Sequence, residues 1–275
     1  MEVRAGAPYL ATMDTRTRPV GQHLRSWRER RRLSQLALAC EAGISARHLS
    51  FLETGRSQPS RGMLLHLAER LDVPIRERNA MLMAGGFAPV FPERRLCDPA
   101  LAAAREAIEI VLGGHRPFPA FAIDRHWNVV ASNGALPELF EGVDEALLAP
   151  LNGLRLTLHP RGLAPRIVNL AQWRSHLLAR LREQIAFSGD EMLKNLLHEL
   201  TGYPAPDGGT RNEDGDVVAV PFRIRTSLGL LSFFGTTTVF GSPLDVTLSE
   251  IALECFYPAD AETAARVRSS ATVAR

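Results

Sequence analysis

Apolar residues in the first ninety positions recur at helical spacing, and polar caps and glycines cut the pattern into short pieces. Leu24 and Trp27, three residues apart, predict a first helix over Val20–Leu33 with Arg28, Arg31 and Arg32 near its end. Ser34 is a good N-cap for a second helix built from strong helix formers, Gln35 to Ala39. Gly43 supplies the left-handed backbone position that ends it without Cβ strain. Ser45 caps a third helix, Ala46 to about Thr54, which Gly55 closes. Leu49 and Leu52 face inward there and leave Ala46, Arg47, Ser50 and Thr54 on the outward side. Ser60 caps a fourth helix with Leu64, Leu67, Ala68 and Leu71 as its core stripe, and Ile75 to Ala84 forms a fifth. Two helices about a tight turn, with small Ala39 at their close approach, have the spacing of a helix-turn-helix.

The pattern then changes. Phe87 to Pro92 is a linker, and Asp98-Pro99 opens a connector helix that carries Leu101, Ala104, Ile108 and Val111 and stops at Gly113-Gly114. Phe121 and Ile123, then Trp127, Val129 and Ala131, alternate as a hairpin of two short strands, with a short helix over Leu136–Phe140 after it. Leu170, Trp173, Leu177, Leu181 and Ile185 mark a long amphipathic helix, and Asp190 caps another. Past a polar, Gly-rich loop at Asp207–Asp216 come three strands, Val217–Thr226, Leu228–Phe240 and Ser249–Tyr257, and a small, polar tail that reads as a fraying helix. Two strands, several helices and three strands make an α+β pattern.

Composition refines this reading. At 275 residues, with 45% hydrophobic and 23% charged residues, the chain has room for two globular domains. The net charge of +2 says little, but its distribution says more: residues 20–87 hold eleven arginines against six acidic residues, so the rest of the chain is mildly acidic. A basic head on an acidic body fits a DNA-binding module joined to a domain that does not bind DNA. The alternative is that arginine is simply used everywhere, since Lys194 is the only lysine. Cys40, Cys97 and Cys255 form no CxxC pair, which argues for a reducing compartment and against a disulfide frame or zinc site. With no membrane-length apolar run and no hydrophobic signal core, a cytoplasmic protein is expected.

Gln35, Ala39, Gly43, Leu49 and Leu52 occupy the packing positions of the lambda-repressor-like helix-turn-helix family, which the chain resembles from about Val20 to Gly86. That resemblance implies an ion pair between Arg28 on the first helix and Glu53 at the end of the recognition helix. ARHLSFLETGRSQPSR at Ala46–Arg61, AIDRHWNVVASN at Ala122–Asn133, LHPRGLAPRIVN at Leu158–Asn169 and FGSPLDVTLSEIALECFYPAD at Phe240–Asp260 span both halves. On these blocks the chain resembles the MmyB-like (XRE-type) transcriptional regulators, with Leu170 standing where relatives commonly carry Trp. The resemblance implies a multi-domain chain: an all-α, five-helix lambda-repressor-like DNA-binding domain, then an α+β PAS-like ligand-binding domain. The expected divisions are an N-terminal arm at 1–19, the helix-turn-helix domain at 20–87, linker and connector helix at 88–116, and the PAS-like domain at 117–275.

The expected partner is double-stranded DNA. Arg47 is the best base reader, because its guanidinium can bond guanine O6 and N7 together, with Ser45, Ala46 and Ser50 beside it. Gln35, Thr54, Arg56 and Arg61 suit phosphate contacts. In the second domain Phe121, Trp127, Trp173, Leu177, Phe222, Phe233 and Phe234 either fill a core or surround a cavity. His159, Asn169 and Arg174, with Arg155 and Arg161, are candidate anchors for an anionic head group. An apolar pocket with few polar groups favours a fatty acid or similar lipid-like metabolite as the bound effector over a nucleotide. The alternative is a ligand-free dimerisation or protein-interaction platform. A homodimer on two half-sites is expected, with no membrane partner. No catalytic residues are expected: GxSxG, GxxxxGK[ST] and GxGxxG are absent, and His198-Glu199 is followed by Gly202 where HExxH needs its second histidine.

Overall fold

Ser34, Ser45 and Ser60 each accept a hydrogen bond from the backbone N–H three residues on, and these caps set where three of the amino-terminal helices begin. The structure is a computed structural model and describes residues 18–204 and 219–273. Most of the expected arm, the Asp207–Asp216 loop and the start of the third expected strand lie outside the described residues.

The first half is all-α: α1 Val20–Arg30, α2 Gln35–Glu41, α3 Ala46–Glu53, α4 Arg61–Arg70 and α5 Ile75–Ala84. Leu24, Leu38, Leu49, Leu52, Leu64, Leu67, Leu71 and Leu82 are buried at their centre. α1 is shorter than the apolar pattern predicts. Arg32 takes a left-handed φ of 56° and Leu33 N closes back on Arg28 O at 3.1 Å. Near its start, Gly21 lies against the end of α3: a Cβ there would fall 2.5 Å from Glu53 O and 2.8 Å from its carbonyl carbon.

The second half is α+β. A single 3-10 turn at Pro99–Leu101 leads into α6 Ala102–Gly114, followed by β1 Ala120–Ile123 and β2 Val129–Ser132. Leu136–Phe140 contributes only a 3-10 turn, Pro137–Phe140. Then come α7 Gly153–Leu158, α8 Leu170–Ser188, α9 Glu191–Thr201, β3 Phe222–Thr226, β4 Gly229–Val239, α10 Val246–Ser249, β5 Ala252–Pro258 and α11 Ala261–Val273. The five strands form one antiparallel sheet, ordered β2-β1-β5-β4-β3. α6 covers one face, setting Ile108 and Leu112 on Ala120, Ala122, Leu253 and Cys255. The opposite face carries the larger core, in which α8 and α9 bury Trp173, Leu177, Leu181 and Leu196 over Ile123, Phe222, Ile224 and Phe233.

Two further expectations change. α7 was not predicted: it is a single short element, its stripe of Leu154, Leu156 and Leu158 has a strand-like period, and Asn152 decides the matter by capping Leu154 N and Arg155 N. Over its described residues the tail is a docked helix. Thr263 Oγ1 accepts from Ser232 N at 3.0 Å, Asp260 caps Thr263 N at 2.6 Å, and Val267 is buried in the main core, so α11 is docked.

Candidate nucleic-acid interface and ligand core

Recognition chemistry begins with how α3 is held. Leu49 and Leu52 are fully buried, which turns Arg47 and Thr54 to solvent and leaves Ala46 and Ser50 half-buried beside them. Behind the helix, Arg28 Nε and Nη2 reach Glu53 Oε1 and Oε2 at 2.6 and 2.9 Å, a bidentate pair with both residues buried. Hydrogen bonding to Glu53 holds the Arg28 guanidinium above its ordinary range. Gln35 Nε2 donates to Glu53 Oε2 at 2.8 Å, so this amide is tied to the same carboxylate that anchors α3.

On the outward side, the Phe51 ring lies under two guanidiniums, Arg47 at 5.4 Å and Arg56 at 5.9 Å from its centroid. An aromatic face attracts cations, so Phe51 restrains both long side chains on the exposed surface. The residue types and the i, i+4 spacing of Arg47 and Phe51 are the signal of this contact in the sequence. Ser45 Oγ accepts from His48 N and Thr54 Oγ1 donates to Ser50 O at 2.7 Å, so both hydroxyls are engaged locally. Arg61 is exposed at the first position of α4.

In the second half, Trp127, Trp173, Leu177 and Phe222 share one buried cluster, with Phe121 packed against it. Trp173 and Phe222 approach to 5.2 Å between ring centroids. Phe256, which sequence reasoning did not single out, lies within 5.7–6.4 Å of Phe121, Phe222 and Phe233. Trp127 Nε1 donates to Gln184 Oε1 at 2.8 Å, whereas Trp173 Nε1 is buried without a hydrogen-bond partner among the described residues. Phe234 does not join them. Successive strand residues point to opposite faces, so Phe233 enters the core while Phe234 is exposed beside its cross-strand partner Tyr257.

Each candidate head-group anchor is held by protein atoms. Asn169 donates to Pro221 O at 2.8 Å and accepts from Arg223 N, joining α8 to β3. Arg174 Nη2 caps the end of α9 through Leu200 O and Thr201 O. His159 Nδ1 accepts from Arg161 N, and its ring meets Tyr203 edge-on at 4.9 Å. Arg155 pairs with Glu199 at 2.7 Å, and Arg161 with Asp144. Burial pushes the Tyr203 hydroxyl up to about 12, reinforced by its hydrogen bond to Glu199. Among the described residues no group of His, Cys, Asp and Glu could hold a metal ion, and no helix is long and apolar enough to cross a membrane.

The two halves meet through charged contacts that local sequence could not reveal. Arg76 of α5 forks onto Glu250 at 2.6 and 2.9 Å and also reaches Glu93 at 2.7 Å. Arg125 in the β1–β2 turn lies 3.6 Å from Glu250 and 3.7 Å from Asp190. Burial works against ionised Asp190, but the 2.9 Å hydrogen bond from His126 and the charge of Arg125 outweigh it, leaving the carboxyl at about 2. Burial dominates at neighbouring Glu77 and raises its carboxyl above the ordinary range.

Residues 104–269 match the family model described as MmyB-like transcription regulator ligand binding domain, and residues 19–81 match a helix-turn-helix domain model. The chain is also similar to an uncharacterized HTH-type transcriptional regulator, y4dL, of Sinorhizobium fredii (strain NBRC 101917 / NGR234). The two are 35% identical over 63 residues, or 23% of this chain. The match spans 32% of that relative's length.

Proposed function

Because the chain belongs to the MmyB-like transcription regulators, we propose that it binds DNA sequence-specifically through α3 and that its second half senses a small apolar effector. One observation carries the DNA reading. Exposed Arg47, flanked by half-buried Ala46 and Ser50, projects from a helix locked from behind by Leu49, Leu52 and the Arg28–Glu53 pair. Arg47 reads a guanine edge, Ser45, Ala46 and Ser50 flank it, and Arg56, Arg61 and Gln35 set the register on phosphates, while Thr54 keeps its hydroxyl proton on Ser50 O. One such module covers little DNA, so the working unit is a homodimer on two half-sites about one helical turn apart. Its architecture is that of a regulator, not an enzyme.

For the second half, the strand order β2-β1-β5-β4-β3, with α8 and α9 over one sheet face and α6 over the other, supports a PAS-like domain. The cluster of Trp127, Trp173, Leu177, Phe121 and Phe222 supports an apolar ligand, and the unpaired Trp173 indole N–H supports one with a hydrogen-bond acceptor, as a fatty acid has. The competing reading, a ligand-free platform, draws on the engagement of Asn169, Arg174 and His159 with protein atoms. Selection of duplexes from a random pool with the full chain, then titration at several salt concentrations, tests the DNA reading; enrichment of no sequence would overturn it. Mass spectrometry of small molecules released from the purified chain separates sensor from platform.

A further inference from the structure

One turn of α1 touches both halves of the molecule. Arg28 faces the recognition helix and forks onto Glu53. Two and three residues on, Arg30 and Arg31 face the carboxyl end of α8. Arg30 Nη1 donates to Ile185 O at 3.3 Å and Arg31 Nη1 to Phe187 O at 3.4 Å. The Arg31 guanidinium also lies 4.6 Å from the centre of the Phe187 ring. These are last-turn carbonyls at the negative end of a 19-residue helix, where cations are favoured. The fit is close. Gly189 ends α8 at φ 72°, and a Cβ built there would run into the Arg30 guanidinium.

The same α8 forms the roof of the aromatic core. It buries Trp173, Leu177 and Leu181, its Gln184 accepts from Trp127 Nε1, and Arg180 lies over the Trp127 ring while pairing with Glu254. A displacement of α8 by an occupant of that core would therefore be delivered to α1, and α1 positions α3 through Arg28 and the close approach at Gly21. We propose that the contacts of Arg30 and Arg31 with the last turn of α8 couple the effector core to the recognition helix, both arginines acting as positioning residues and not as DNA contacts. The proposal rests on the reading of this chain as a DNA-binding sensor and adds its route of regulation. By reciprocity, DNA bound at α3 changes the core's affinity for its effector by the same factor, and a coupling carried by the last turn of α8 predicts that DNA binding alters that turn.

That reciprocity permits a test without knowing the effector. The probe is a duplex enriched from a random pool by the full chain, and the readout is amide exchange in a peptide covering residues 182–190. Arg31 also holds Leu71 O and Asp72 O inside the first domain, so the variants are made at Arg30 and at exposed Phe187. Duplex binding should change exchange over 182–190 at least threefold in the parent chain. In Arg30→Ala, and separately in Phe187→Ala, the duplex should still bind within about threefold while the change over 182–190 disappears. A bound duplex that leaves 182–190 unmoved in the parent, or a change that persists in both variants, overturns the coupling alone. Failure to enrich any duplex overturns the regulator reading and the coupling with it. A structural role for Arg30 would shift exchange in the free chain without removing the response to DNA.

Discussion

The Arg28 guanidinium and the Glu53 carboxylate meet as a fork on a cushion of buried leucines, their side chains only 10% and 2% exposed. Such a pair contributes less than its distances suggest, because both ions gave up hydration to form it. Removing one partner is another matter. Arg28→Ala leaves a buried, unpaired carboxylate and should cost about 3–5 kcal/mol in denaturant unfolding. Replacing the pair together, Arg28→Met with Glu53→Leu, should recover most of that loss.

Gly21 is where α1 approaches the backbone of α3. Gly21→Ala places a methyl against Leu52 O and Glu53 O, atoms that cannot yield without moving the recognition helix. The expected cost is about 1–3 kcal/mol of stability, the range for overpacked sites. DNA affinity should fall as well, measurable by titration at a temperature where the variant is fully folded. Gly62, which has open space around its Cβ position, is the control.

The proposed DNA contacts separate into two kinds. Arg47→Ala should cost about 1–3 kcal/mol at one base position and relax preference there. Arg61→Ala should weaken all sequences alike and reduce the salt slope by about one. Phe51→Leu removes the ring beneath Arg47 and Arg56, and should blur specificity without abolishing binding. Equal losses for Arg47→Ala on every duplex would remove it as a reader.

At the contact between the halves, two carboxyls give opposite pH dependences. Asp190 is held at about 2, below the ordinary 3.8, so its contribution is complete above about pH 4 and is lost as pH falls toward 2. Asp190→Asn should therefore lower the melting temperature at neutral pH and have less effect near pH 2. Glu77 is raised by burial, so the folded chain binds its proton more tightly than the unfolded one, and stability drains as pH rises through that raised value. Glu77→Gln should then be more stable than the parent at neutral pH, by a margin that shrinks in acid. Thermal melts across the pH range check both signs.

Sequence alone determined the helix-turn-helix, because everything that makes it is local. Three serine caps, Gly43 at φ 64° and leucines three apart act within a turn or two of themselves. The order of strands and long helices was legible for the same reason, since periods of 2 and 3.6 are written along the chain. Only the tertiary structure decided which member of the Phe233-Phe234 pair faces the core, as two adjacent apolar residues do not fix the parity of a strand. It also decided the fate of the polar groups. Asn169 and Arg174 read as ligand anchors but tie α8 to β3 and α9, and Arg30, Arg31, Arg76 and Glu250, featureless as a string, join the two halves. A charged side chain is long and its partner lies wherever folding brings an opposite charge or an unpaired carbonyl, here up to 174 residues away, a distance over which no local pattern carries information.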